Sequence, residues 1–242
     1  MQYNEGIFFG MNAVFYYSNT DQSKTVAEYI ANALGWDIFN IEDGDGKGLE
    51  YEKAFIVFPV HCQNIPARVK SFLSNLLARY LIPVATYGRM HHGNVLYEIE
   101  NDYGFTVIGG AFVPAKHTYI EEEGVSPADL WALEPLIEKA REEKSTSVSF
   151  LREKKNLFAD LAPAWRSRVG VSLRRAKDCK GCLLCEAVCP CWKGRGRTPS
   201  KECIRCLKCV SVCKEKALKV RLTLPLKLYL KKKKLSEVKV FV

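Results

Sequence analysis

Nine of the ten cysteines in this 242-residue chain fall between Cys179 and Cys213, at regular spacing. Cys179-x2-Cys182-x2-Cys185-x3-Cys189-Pro190 is answered by Cys203-x2-Cys206-x2-Cys209-x3-Cys213. Three thiolates at intervals of three let one tight loop wrap three corners of an iron–sulfur cubane. The fourth, farther on, starts a helix and reaches a second cubane. The pattern assigns Cys179, Cys182, Cys185 and Cys213 to one 4Fe-4S cluster, and Cys203, Cys206, Cys209 and Cys189 to another. Zinc sites usually offer cysteine pairs across longer spacers, not three even steps and a fourth. One dense block, with only Cys62 outside it, also argues against a disulfide framework. Lys214 replaces the second proline, and only residues 190–202 separate the halves, without an apolar strand of their own. Cys191 is surplus and reads as a packing residue beside a cluster. Trp192 shields a cluster or fills a small core.

A second chemical signal lies near the start. Tyr17-Ser18-Asn19-Thr20-Asp21-Gln22-Ser23 joins an apolar run to a helical pattern. Hydroxyls and backbone N–H groups at a helix N-terminus suit a phosphate dianion. Two further loops follow apolar runs: Pro59-Val60-His61-Cys62-Gln63, and Tyr87-Gly88-Arg89-Met90 running on to His91, His92 and Gly93. Gly88 permits close backbone approach. His61, His91 and His92 read as solvated loop histidines rather than a metal trio.

The elements that must position these loops alternate. Strands are expected over Ala13–Tyr17, Trp36–Ile41, Ala54–Val60, Ile82–Tyr87 and Thr106–Val113, with helices over Ser23–Leu34, Pro66–Leu81 and Val95–Tyr103. A last helix starts at Ser126 with a capping box to Asp129, and Pro135 bends or divides it. Such alternation implies a doubly wound α/β parallel sheet of five strands in the order 2-1-3-4-5, with ligands beyond the strand C-termini. Val169–Arg174 and Ala217–Arg221 read as paired strands of a small second domain. The expected division is 1–145, a basic connector 146–172, the cysteine domain 173–222, and a basic apolar tail 223–242.

The net charge of +9 hides an asymmetry: residues 1–150 carry −9 and residues 151–242 carry +18. The basic half fits acidic redox partner proteins. No recognisable nucleic-acid reading element accompanies it, so none is expected as a partner. Contact with anionic lipid through Leu224–Lys234 is the weaker alternative to a solvated tail. No signal peptide or spanning run is evident, which reads as cytoplasmic, and residues 1–10 read as an extension before the first strand.

The 17–23 loop resembles the flavodoxin fingerprint S/T-x-T-G-x-S/T through Ser18, Thr20 and Ser23, with Asp21 where glycine is usual. Together with the cysteine block, the chain resembles the flavodoxin–ferredoxin fusion proteins of anaerobes, the EFR-type ferredoxins. That resemblance implies a flavodoxin-like FMN domain, a small α+β ferredoxin domain holding two 4Fe-4S clusters, and electron flow between them. It implies FMN contacts from Ser18, Asn19, Thr20, Asp21, Gln22 and Ser23, from Pro59, Val60, His61, Cys62 and Gln63, and from Tyr87, Gly88, Arg89 and Met90. His117 and Tyr119 are weaker candidates. Two other functions stay open: an FMN-dependent reductase fed by the clusters, and a cluster-based redox sensor. No GxGxxG fingerprint favours direct NAD(P)H use. A head-to-tail homodimer would serve if flavin and clusters were distant within one chain.

Overall fold

Alternate residues of β1 (Asn12–Tyr16) enter two different apolar layers, Ala13 and Phe15 on one side and Val14 on the other. The same division runs through β3 (Glu50–Pro59), where Ala54, Ile56 and Phe58 oppose Phe55 and Val57. A sheet buried on both faces needs a helical layer on each. One layer is α2 (Ala67–Leu73) with α3 (Val95–Asp102), through Val69, Phe72, Leu96 and Ile99. The other is α1 (Gln22–Leu34) with α5 (Glu134–Arg141), through Val26, Ile30, Leu136 and Ile137. The computed structural model describes residues 10–46, 48–120, 123–153, 163–194, 196–232 and 234–242. Residues 1–9 and 154–162, the proposed extension and much of the connector, lie outside that set.

The chain divides into two compact units, 1–155 with 234–242, and 156–233. In the first, β2 (Asp37–Asn40), β1, β3 and β4 (Leu77–Tyr87) are parallel neighbours in that order. The fifth position of the expected order is shared by β5 (Thr106–Val107) and β6 (Gly110–Pro114), both parallel to β4. The single strand expected over Thr106–Val113 is therefore two. A Cβ on Gly109 would lie 2.6 Å from Leu136 Cδ1, and one on Gly110 would lie 2.9 Å from the Phe150 ring and 3.0 Å from the Pro83 carbonyl. The neighbours close in where the strand is interrupted.

Two further expectations are corrected. The helix over Pro66–Leu81 stops at Leu73, because β3 reaches back to Glu50 and offers residues 77–81 a partner, with Glu50 opposite Leu77 and Ala54 opposite Leu81. Strand pairing overrides a helical period that runs on through Leu76. The sheet also has more than five strands: β9 (Lys239–Phe241), from the expected tail, pairs antiparallel with β6, Phe112 opposite Lys239 and Gly110 opposite Phe241. Val240 then packs in one layer and Phe241 in the other. At α4 (Pro127–Trp131) the capping box is present, the Asp129 N–H donating to Ser126 Oγ at 3.2 Å, and Pro135 stands just inside α5.

The second unit is built on β7 (Val171–Arg175) and β8 (Leu218–Leu222), antiparallel with Val171 opposite Leu222 and Arg175 opposite Leu218. Around them lie α6 (Pro163–Gly170), α7 (Leu184–Ala187), α8 (Lys208–Ser211) and α9 (Leu224–Leu230). Among its described residues, Leu173, Cys185, Trp192, Cys209 and Leu218 form one buried cluster, and Val171, Cys203, Ala217 and Leu230 are buried as well. Among the described residues, no helix is long and apolar enough to cross a membrane.

Candidate functional site

Because β1, β3 and β4 run parallel side by side, the loops leaving their C-terminal ends share one edge of the sheet. In the first loop, Asp21 caps α1 at φ 61°, the left-handed conformation that glycine normally supplies. The turn required by the glycine position is thus kept by one of the few other residues that tolerate it. Asn19 Nδ2 is buried with no partner, while its Oδ1 lies 3.4 Å from the Tyr17 hydroxyl. Thr20 is exposed and Ser18 half-buried. Ser23 is placed differently from its neighbours: its hydroxyl is buried 2.7 Å from Thr86 Oγ1, tying α1 to β4. Gln22 Oε1 accepts from the Val125 N–H at 2.9 Å, anchoring the loop to the segment after β6.

The second loop begins where Pro59 ends β3 and the Val60 N–H donates to the Thr86 carbonyl at 2.7 Å. His61 and Asn64 exchange two backbone bonds, of 3.0 and 2.9 Å, around Cys62 at φ 51° and Gln63 at φ 69°. Two left-handed residues in succession define the turn type that Asn-Gly usually fills, and such outliers cost on the order of 1–3 kcal/mol each. Strain of this kind concentrates at ligand-holding loops. A Cβ on Gly93 would lie 2.2 Å from the Gln63 carbonyl, so the second and third loops meet backbone to backbone.

In the third loop Tyr87 is a core residue. Its ring stands edge-on to His92 and Phe112, and its hydroxyl donates to the Glu237 carbonyl at 3.3 Å. Burial pushes its phenol up to about 12. The close approach foreseen at Gly88 is made by His117, whose Cδ2 would be 2.6 Å from a Cβ there. Arg89 adopts φ 57°, sets Nη2 3.5 Å from the Gly124 carbonyl, and accepts from the Leu235 N–H at 2.7 Å. Met90 is half-buried.

Of the three loop histidines expected to be solvated, His61 and His91 are half-buried and His92 is buried. His92 is 1% exposed and stacks on Phe112 at 3.8 Å; its Nδ1–H donates to the Gly93 carbonyl, and Lys239 Nζ donates to Nε2 at 3.3 Å. Burial lowers the His92 pKa, and takes His61 and His117 down to about 4. Neutral imidazoles at ordinary pH follow, suited to packing and hydrogen bonding. The residues that sequence reasoning missed here are Thr86, Leu235 and Glu237. Gly93 was named there only as the end of the third loop, and its contact with Gln63 was not foreseen.

In the second unit, one recess, partly open to solvent, is lined by Cys179, Cys182, Cys185 and Cys213, together with Arg175 and Gly181. Those four cysteines are the first set read from the spacing, with Cys213 contributed by the other half of the block. The two halves repeat a backbone pattern. Gly181 and Arg205 have φ 73° and 61°, and Leu183 and Leu207 both have φ 62°, at matching places before and after Cys182 and Cys206. Three of those four are non-glycine residues held left-handed at a cost, around thiols. The second set also lies together: Cys189, Cys203 and Cys209 all act electrostatically on Cys206, whose thiol burial pushes up to about 11. Burial and the neighbouring Cys189 likewise push surplus Cys191 up to about 11.

Thiols crowded and buried in this way resist losing protons to water, and release them readily only to a cation that takes their place. Donors wait beside them: Arg175 Nη2 is 3.2 Å from Cys185 Sγ, while Arg175 Nε and Trp192 Nε1 are buried with no nitrogen or oxygen partner. A centre carrying sulfide acceptors fits that donor set. Among the described residues, no three or more His, Cys, Asp or Glu groups converge as a single-ion site.

No family model and no curated protein sequence matches this chain. Solved structures do. An archaeal flavodoxin is similar at TM-score 0.40 and 18% identity, over 52% of this chain and 94% of its own. A Fusobacterium nucleatum flavodoxin bound to flavin mononucleotide gives TM-score 0.36 and 16% identity, over 52% and 91%. An NAD(P)H:quinone oxidoreductase from Methanothermobacter marburgensis gives 0.39 and 8%, over 57% and 99%. The assignment of the first unit as a parallel-dominated α/β sheet rests on its own strand order and registers.

Proposed function

We propose that the chain is an electron carrier with FMN at the C-terminal edge of the first unit's sheet and two 4Fe-4S clusters in the second unit. The observation that carries the reading is the recess where Cys179, Cys182, Cys185 and Cys213 meet, the set that the duplicated spacing demands. The repeated left-handed residues around both thiol sets support it. When bound, FMN exchanges one or two electrons and each cluster exchanges one, which allows conversion between one- and two-electron partners.

The chain's own residues divide the work. Ser18, Asn19, Thr20 and the backbone N–H groups opening α1 hold the phosphate; Asn19 Nδ2, buried and unpartnered, is a donor in need of such an acceptor. Ser23 stays on Thr86 and sets the pitch of α1 under the loop. The strained 61–64 turn and the 88–90 backbone face the flavin ring, held rigid by the contact between Gly93 and Gln63. Arg89 brings the positive charge at that edge. Cys179, Cys182, Cys185 and Cys213 ligate one cluster, and Cys189, Cys203, Cys206 and Cys209 the other. The basic second half supplies the steering field for an acidic redox partner protein.

The test is flavin, iron and sulfide per chain on anaerobically purified protein. The expected result is one FMN with about eight iron and eight sulfide. Two zinc ions and no sulfide would overturn the cluster assignment. Full clusters with no FMN after reconstitution would overturn the flavin assignment.

A further inference from the structure

In the second unit, the charged side chain of Arg175 is buried against a sulfur of the first thiol set. Arg175, at the end of β7, is 7% exposed. Its Nη2 lies 3.2 Å from Cys185 Sγ and 2.9 Å from Glu186 Oε1, and its guanidinium carbon lies over the Trp192 ring, 4.9 Å from the centroid. Its backbone is fixed as well, the N–H donating to the Arg197 carbonyl at 2.8 Å. Trp192, 3% exposed, packs in the same small core as Cys209, which belongs to the other thiol set. One face of this arginine thus meets the indole shared with the second set, while its edge meets a sulfur of the first.

We infer that Arg175 is a tuning residue that raises the reduction potential of the cluster ligated by Cys185 relative to the other, making that cluster the preferred resting place of the first electron. The inference rests on the cluster reading given above. A cation and an N–H donor at a ligand sulfur both favour the more negative, reduced form of the centre. Glu186 opposes this only in part: its side chain keeps 20% exposure to water, against 6% for that of Arg175, so solvent screens the carboxylate more than the guanidinium. The two halves of the cysteine block are near-repeats in backbone, so a difference between their clusters has to come from side chains such as this one. Lysine cannot replace it fully, because a compact ammonium cannot reach sulfur and carboxylate and also keep its charge spread over Trp192 as the guanidinium does.

The experiment is a redox titration of the full, cluster-loaded chain, with the two centres told apart by the hyperfine-shifted β-protons of Cys185 and Cys209. In Arg175→Met, the Cys185 centre falls in potential while the Cys209 centre stays. The ratio of electrons on the first to the second drops at least tenfold, which for one-electron centres is about 59 mV. Arg175→Lys recovers part of that loss. Glu186→Gln moves the same centre the other way, because the opposing carboxylate is gone. Equal shifts in both centres, or none in either at full iron content, would overturn the assignment. If Arg175→Met fails to retain iron, Glu186→Gln decides alone, and an unchanged Cys185 potential in it rejects the role. Absence of two reducible clusters in the unmodified chain would instead reject the cluster reading itself.

Discussion

The two units solve the same problem, holding loops in costly conformations, by different means. In the first, both faces of the sheet are sealed by helices, and the left-handed residues Asp21, Cys62, Gln63 and Arg89 ride on a rigid edge. In the second, nine of the described residues form the buried apolar core, and three of them are cysteines. A core of that size cannot offset the chain entropy of ordering the unit. On the proposed function, a centre held by the thiols would act as core as well as cofactor, whereas a flavin would only occupy an edge already built.

Removing iron should have the largest effect. A chelator under oxidising conditions should leave residues 163–232 open to rapid proteolysis while 10–153 stay resistant. A second unit that remains protected without iron would break the contrast. Next in size, Phe58→Ala in the fully buried layer of the first unit should cost about 3–5 kcal/mol in chemical denaturation. Iron content of the folded protein should not change; if it falls in step with stability, the units do not stand apart.

A third prediction uses acid. All four histidines are in the first unit. Burial holds His61 and His117 near 4, with Lys234 adding to the effect at His117. Unfolding lets both take up protons at their ordinary value near 6.5. The stability they confer is therefore complete above about pH 6.5 and is lost as pH falls toward 4. Denaturation of the first unit followed from pH 7 to 5 should steepen accordingly, and His117→Gln should flatten the slope. An unchanged slope in that variant would show that His117 titrates in water. The smallest effect belongs to the phosphate loop. Asp21→Gly keeps the left-handed turn and removes a negative charge, so FMN should bind about two- to fivefold more tightly, the worth of one exposed charge contact. Weaker binding would mean that the Asp21 carboxylate has a partner of its own in the bound form.

The sequence was most legible where chemistry is local. The capping box at Ser126 shows because its partners sit three residues apart, and the cysteine spacing brings Cys179, Cys182, Cys185 and Cys213 to one recess as read. Pairing between distant segments was hidden. Residues 77–81 carry a helical period, yet join β4 because β3 extends to meet them. Lys239–Phe241 reads as tail because its partner, β6, lies far upstream. Arg175 was invisible for another reason: it is one of many basic residues in the second half, and only burial against Cys185 sets it apart.

The placement of β9 has a consequence for synthesis. β6 presents one side to β4 and the other to a strand that begins at Lys239. On the ribosome, that outer side stays bare until the whole second unit has been made, a wait on the order of ten seconds at ordinary elongation rates. An unpaired β edge is a template for mispairing with other chains. The newborn first unit is most exposed to aggregation during that wait, and a label or truncation that blocks residues 239–241 would prolong it indefinitely.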